Sequence, residues 1–316
     1  MNKLLQSANL PWLKPVLLAI AALLTIGLGW YLIGVITQPA IPKVALREEK
    51  QPQKILFDGR QQLLPHTRLV ALYGAPDTPA LGALGEQSLP KTLQRVKKLA
   101  QNYQPHTKQQ VYPALEVIAT VAAAEPTADS DYSREIPIEK LEKWVREAEK
   151  AKVYVVLDLQ PGRTHFLTQA KRLEKLLLYP HVGLALDPEW RLKKTEQHLE
   201  QIGSVHAHEV NQTAAWLASL TRHRNLPQKV FLLHQFRSSM IHKRELLRTH
   251  PELAHIIQMD GHGDQPTKLG TWQVLTKDLP QGIHMGWKNF YNEDTPTFSP
   301  AQTYGITPVP WFVSYQ

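Results

Sequence analysis

The chain contains no cysteine. That excludes a disulfide framework, a thiolate nucleophile, a cysteine-ligated zinc and the modified cysteine of a lipoprotein. It has no internal repeat and no low-complexity tract. No Gly-x-Gly-x-x-Gly follows the first strand-like segment. Gly82-Ala-Leu-Gly85 is the nearest approach, and it lacks the spacing that cradles a phosphate. No compact Lys/Arg cluster with interleaved aromatics is present, so nucleic acid is not an expected partner. Charge is only mildly positive. Beyond residue 36 there are 34 basic against 28 acidic residues, which suits a solvated surface or an anionic cell envelope. Nothing in the sequence calls for a cofactor, and the leading reading needs no metal.

One long hydrophobic run is present. Val16 to Ile36 is 21 residues without a formal charge, preceded by Lys3 and Lys14. About 20 such residues span the hydrocarbon core as a helix. A cleaved signal peptide would have a shorter apolar region and a small-x-small site, which Thr37-Gln-Pro-Ala40 matches poorly. The expectation is therefore a short cytoplasmic tail over 1–15 and an uncleaved transmembrane signal anchor over 16–36. A Pro-containing linker follows over 37–60, and a single large domain over 61–316. That places the protein in the cell membrane as a single-pass protein with its main domain outside the cytoplasm.

From residue 68 onward, strand-like and helix-like segments alternate. The strand candidates are Leu69–Tyr73, Val111–Thr120, Val153–Leu159, Val182–Leu186, Val230–His234, His255–Asp260, Ile283–Phe290 and Trp311–Tyr315. They are rich in Val, Ile and Leu, as buried parallel strands are. Between them lie amphipathic stretches at 89–103, 137–151, 164–178, 205–223, 238–250 and 265–277. Eight strands with intervening helices predict an α/β fold of (β/α)8 TIM-barrel type. An open doubly wound sheet is the alternative, weakened by the missing phosphate fingerprint.

In such a barrel, chemistry gathers at the carboxyl ends of the strands. The segment His181-Val-Gly-Leu-Ala-Leu-Asp187-Pro-Glu189-Trp190 shows the pattern best. Alternate residues of a strand share a face. Gly183, Ala185, Asp187 and Glu189 therefore point into the barrel, and Val182, Leu184 and Leu186 point out toward helices. Other strand ends offer Glu116, Asp158 with Gln160, His234 with Gln235, and Gln258 with Asp260 and His262. The seventh and eighth strands add His284 with Lys288, and Ser314 with Gln316. Each has an ordinary structural reading: Asp187 can cap the turn after Pro188, and Glu116 can pair with Lys288. Their convergence on one face, where apolar filling would be cheaper, predicts a polar pocket.

Glycoside cleavage needs a protonated carboxyl beside the leaving oxygen and a second acidic group near the sugar. Glu189 suits the first role, with Asp187 beside it to raise its pKa and Asp158 as a further catalytic carboxylate. Glu116, Gln160, His234, Gln235, Asp260 and Lys288 are expected to bind substrate. Trp190 and Trp287 are expected to offer aromatic platforms for sugar rings.

The Asp-x-Glu ending the fourth strand resembles the signature of chitinase-like glycoside hydrolases of family 18, and family 25-type lysozymes carry paired acids there too. The chitinase-type pattern is D-x-x-D-x-D-x-E. The corresponding positions here are Val182, Ala185, Asp187 and Glu189, so the last two match. The resemblance implies that Glu189 is the acid and Asp187 its partner. The stretch 151–192 also resembles a group of uncharacterised exported bacterial proteins, which implies location rather than activity. The expected partner is a glycan or cell-envelope polymer. Three other readings stay open. One is a catalytically inactive barrel binding glycan or protein. Another is a metal-dependent phosphodiesterase or amidohydrolase, drawing on Glu116, Asp158, Asp187, His234, Asp260 and His262. The third is a Schiff base on Lys288.

Overall fold

The computed structural model describes residues 53–316. The expected tail, the anchor over 16–36 and most of the linker lie outside the described residues. Among the described residues no helix is long and apolar enough to cross a membrane. Within 53–60, Leu56 is buried and belongs to the same apolar cluster as the barrel interior. The packed unit therefore begins before residue 61.

Eleven strands are present among the described residues. They are β1 (Thr67–Gly74), β2 (Gln110–Ala122), β3 (Ser133–Glu135), β4 (Tyr154–Leu159), β5 (Val182–Leu186), β6 (Val205–His206), β7 (Lys229–Gln235), β8 (Ile241–His242), β9 (Leu253–Met259), β10 (His284–Asn289) and β11 (Phe312–Tyr315). Eight of them close a parallel ring in the order β1-β2-β4-β5-β7-β9-β10-β11, and β11 pairs back to β1. β3 folds back antiparallel on the end of β2. β6 and β8 form a separate two-residue parallel pair. The ring is the expected (β/α)8 barrel, and it includes each of the eight expected strands.

The helices are α1 (Leu89–Tyr103), α2 (Ile138–Lys150), α3 (Phe166–Arg172), α4 (Glu174–Leu177), α5 (Ala207–His223), α6 (Gln265–Thr276) and α7 (Pro300–Tyr304). Their spacing explains their placement. In α1 the buried positions Leu89, Thr92, Val96, Ala100 and Tyr103 recur every three or four residues, forming one stripe against the sheet. Asp264 caps α6 by accepting the Thr267 backbone N–H at 2.9 Å. The stretch 164–178 breaks into two short helices at Leu173.

The helix expected over 238–250 does not form. The segment consists of two 3-10 turns flanking β8, and Lys243 takes a left-handed conformation with φ of 58°. Arg244 explains the departure. Its guanidinium donates to Leu275 O at 2.8 Å, Lys277 O at 2.9 Å and Gln235 Oε1 at 3.2 Å. These long-range bonds tie the segment across the sheet and outweigh local helical spacing.

Alternation divides the core in two, as the β5 segment predicts. Val182, Leu184 and Leu186 face outward and join the large cluster under the helices. Ala185 faces inward with Leu69, Ala71, Tyr154, Val156, Leu232, Ile256 and Phe312, which fill the amino-terminal half of the barrel. Gly183 is small for a reason. A Cβ there would lie 2.6 Å from Val230 O and 3.2 Å from the Tyr154 hydroxyl, which itself accepts the Val230 N–H at 3.1 Å.

Candidate active site

Two residues further along the same inward-facing rows, the barrel changes character. Tyr73, Glu116, Asp158, Asp187, His234, Gln258, Asp260, Lys288 and Ser314 replace the apolar layers, and all are buried. The register shows why they converge. Tyr73 is level with Glu116, His234 with Gln258, and Lys288 with Ser314. Above them opens a pocket of about 550 Å³. It is lined by Tyr73, Gln160, Asp187, Glu189, Trp190, Phe236, Arg237, Asp260, His262, Lys288, Phe290 and Gln316, among others.

His234 organises the floor. Its Nδ1 lies 2.6 Å from Asp260 Oδ2, and its Nε2 lies 2.9 Å from Glu116 Oε1 and 3.6 Å from Asp158 Oδ1. Burial opposes charge on the ring, but the surrounding carboxylates, Asp158 and Asp260 foremost, hold its pKa well above the usual histidine value. The charged form of the ring is favoured, with a carboxylate facing each nitrogen. Glu116 makes no well-aligned hydrogen bond, so the His234 charge is its compensation. Lys288 Nζ reaches Asp260 Oδ1 at 3.0 Å and stands 3.6 Å from the centre of the Tyr73 ring. The Tyr73 hydroxyl donates to Asp158 Oδ2 at 3.0 Å and accepts from Gln160 Nε2 at 3.2 Å. Gln160 Oε1 is fixed in turn by the Ala122 N–H at 2.9 Å.

The carboxyls separate by environment. Burial would raise the pKa of Asp260, but Lys288 and His234 outweigh it and hold that carboxyl below its usual value. Burial and then the nearby Asp260 charge push Glu189 up to about 7. Burial and then Glu189 hold Asp187 well above the usual range. Burial raises Asp158 to about 6, against the pull of His234. Asp187 also caps the turn at Pro188–Trp190 by accepting the Glu189 N–H at 3.3 Å. The capping and site readings of this residue therefore hold together.

Several expected site residues stand elsewhere. Trp287 does not reach the pocket. It faces outward, fully buried between the Trp272 and Phe298 rings at 5.6 and 4.9 Å. Its parity on β10 is opposite to that of Lys288, so it cannot be a sugar platform. Gln235 likewise faces away from the pocket and donates to Arg237 O at 3.1 Å. Glu116, Asp158 and His234 face inward but do not line the pocket; they form the layer beneath it. Glu116 pairs with His234, not with Lys288. Glu189, Asp187, Gln160, Asp260, Lys288 and Trp190 are brought together around the cavity. Tyr73 and Arg237 join the pocket lining without having been expected there. Tyr73 was discoverable, because it is the last inward-facing side chain of β1.

One oxygen each from Asp187 and Asp260 and one nitrogen of His234 lie within 4.8 Å of one another, a spacing that can hold a metal ion. The 2.6 Å contact between His234 and Asp260 is, however, a hydrogen-bond distance. A cation bound by both would have to part them and take a proton from a ring held strongly protonated.

No family model and no curated protein matches the chain. Among solved structures it is similar to a Prevotella bryantii endo-beta-mannanase/endo-beta-glucanase. The likeness has 10% identity and a TM-score of 0.37, and covers 64% of this chain and 37% of that one. It is also similar to a broad specificity endoglucanase from Clostridium longisporum. There the identity is 12% and the TM-score 0.31, covering 64% of this chain and 71% of that one. This chain thus spans well under half the length of the first of them. The barrel assignment rests on the closed ring of strands and the functional reading on the pocket residues.

Proposed function

We propose that this protein is a glycan hydrolase in which Glu189 is the proton donor and Asp260 the ionised partner. One observation carries the reading. Two carboxyls line one pocket, and their environments drive their pKa values apart, one up to about 7 and the other below its usual range. A pair of this kind supplies an acid and a carboxylate at the same pH. Glu189 then protonates the leaving glycosidic oxygen as its bond to the anomeric carbon breaks, and a water molecule adds to that carbon and gives up the proton that restores Glu189. Asp260 supplies negative charge to the oxocarbenium-like transition state. The cations at 2.6 and 3.0 Å keep Asp260 ionised, and His234, Glu116 and Asp158 hold that arrangement from below. Asp187 acts beside Glu189, as the strand-four pattern implies. Trp190, Phe236 and Phe290 give the pocket apolar walls on which sugar rings can stack. The uncharged run over 16–36 extends the proposal to a membrane-tethered enzyme acting on cell-envelope polymer outside the cytoplasm.

The test is incubation with purified peptidoglycan and a panel of polysaccharides, with fragments read by mass spectrometry. Glu189→Gln and Asp260→Asn are run alongside, each with and without chelator. Fragments from the wild type that vanish in both variants and survive the chelator support the proposal. Loss of fragments with chelator alone would transfer the activity to a metal at Asp187, His234 and Asp260. Tight glycan binding without fragments would make this a binding barrel.

A further inference from the structure

We propose that the pocket selects a sugar bearing a carboxylate, and that Arg237 is the residue that recognises it. The inference rests on the glycan reading of this pocket and narrows its substrate class. Arg237 follows β7 and stands on the pocket wall. Among the described residues no carboxylate lies within ion-pair distance of its guanidinium, which stands 5.7 Å from the centre of the Phe236 ring. The other strong cation of the pocket, Lys288, is already paired with Asp260 at 3.0 Å.

The side chain is exposed, but the backbone beneath it is anchored. Arg237 O accepts from Gln235 Nε2 at 3.1 Å and from the Met240 N–H at 3.2 Å. Gln235 is wholly buried, and its Oε1 accepts from Arg244 at 3.2 Å. Arg244 is in turn fixed by the carbonyls of Leu275 and Lys277. This chain of bonds sets the point at which Arg237 leaves the sheet. It also gives a purpose to a buried amide that faces away from the pocket.

An acid-rich cavity would ordinarily repel an anion. Here the Asp260 charge is answered by His234 and Lys288, and burial favours the neutral forms of Asp187 and Glu189. The two cations of the floor match the Asp260 and Glu116 charges, and burial raises the Asp158 pKa as well, while the wall carries a guanidinium with no carboxylate partner among the described residues. A guanidinium binds a carboxylate through two parallel hydrogen bonds, a geometry that a hydroxyl cannot reproduce. A uronic acid presents that group, as does the lactyl-ether amino sugar of peptidoglycan once its stem peptide has been removed.

The experiment uses full-length protein carrying Glu189→Gln, so that bound ligand is not turned over. Calorimetry compares oligogalacturonate, its carboxyl-reduced counterpart and peptide-free peptidoglycan strands. At least one carboxylated ligand is expected to bind about tenfold or more tightly than the reduced oligomer, the size of a charge-assisted contact. Which of the two binds identifies the source of the carboxylate. Adding Arg237→Ala should abolish the preference, so that charged and neutral oligomers bind alike, whereas Arg237→Lys should restore part of it. Equal binding of charged and reduced oligomers overturns the inference, as does a preference that survives Arg237→Ala. Selective binding in the Glu189→Gln protein with Arg237 intact, together with no products from protein retaining Glu189, would overturn the hydrolase reading alone. Absence of binding to all three ligands would overturn both.

Discussion

The two halves of the barrel interior are built from the same strands, yet they are filled by opposite chemistry. Toward the amino-terminal ends, Leu69, Ala71, Val156, Ala185, Leu232 and Ile256 pack as an apolar plug. One step further, Tyr73, Asp158, Asp187, His234 and Gln258 occupy the same rows, with Asp260 one step beyond Gln258. The plug alone closes the ring, because burying apolar surface needs no partners. The upper layer stabilises nothing that Val or Leu would not stabilise better, since buried ion pairs seldom repay their desolvation. Its retention of five carboxyls and two cations is the strongest argument that this half exists for a ligand.

Breaking each half separately sharpens the contrast. The largest expected effect lies in the upper half. Glu189→Gln should lower kcat by about 10²–10⁴-fold, the usual worth of a general acid, while circular dichroism stays unchanged. In the wild type, kcat/KM should fall as pH rises through about 7, where Glu189 loses its proton. A pH-independent rate would remove Glu189 from that role. In the lower half, Leu232→Ala should cost about 2–5 kcal/mol of stability by leaving a cavity. Chemical denaturation reads this directly, and activity per folded molecule should not change.

The next effect concerns a charge on the outer side of the same strands, since Lys229 shares the parity of the outward-facing Phe231 and Leu233 on β7. Lys229 is fully buried, donates to Tyr179 O at 2.8 Å and Val182 O at 2.7 Å, and burial pushes its pKa down to about 7. The unfolded chain therefore holds its proton more tightly, and stability should rise as pH climbs from about 7 toward 10. Glu189 has the opposite sign. Its raised pKa means that stability should fall as pH rises from about 4.5 to about 7. Lys229→Met should flatten the alkaline rise in the thermal midpoint, and Glu189→Gln should lessen the acid-side fall, to which the raised Asp158 and Asp187 also contribute. A wild-type midpoint flat across both ranges would contradict both assignments. The smallest effect is expected at the wall, where Trp190→Ala should raise KM several-fold, by about 1 kcal/mol, with kcat nearly intact. An unchanged KM would reduce Trp190 to a packing role against His198, whose ring lies 5.3 Å away.

The ring of eight strands was legible because Val, Ile and Leu runs recur between amphipathic stretches. In β5 the alternation of small and large residues even told inside from outside. Parity did the same for Asp187, Glu189, Asp260 and Lys288. The same parity turns Trp287 and Gln235 outward, since each sits beside an inward residue, and that excludes the substrate-contacting roles expected of them. Depth was not legible. Asp158 and Glu189 look equivalent in sequence, yet one is sealed under Tyr73 and the other lines the cavity, because ring register and stagger set height along the barrel axis. Residues 238–250 misled because helical spacing cannot foresee where Arg244 will bond. Arg237 gave no signal at all, since an exposed arginine in a loop is common.

The pairing of β11 between β1 and β10 has a kinetic consequence. Leu69 meets Phe312 and Lys288 meets Ser314, so the ring can close only after almost the whole described length has been ordered. Contacts of such long sequence separation form late and slowly. Until then β1 and β10 each expose an unpaired edge, an invitation to pair with another molecule. The pocket is therefore a product of closure. Its appearance, followed with a fluorescent ligand, would time the last step of folding, and a chain stopped near residue 310 should aggregate before it binds anything.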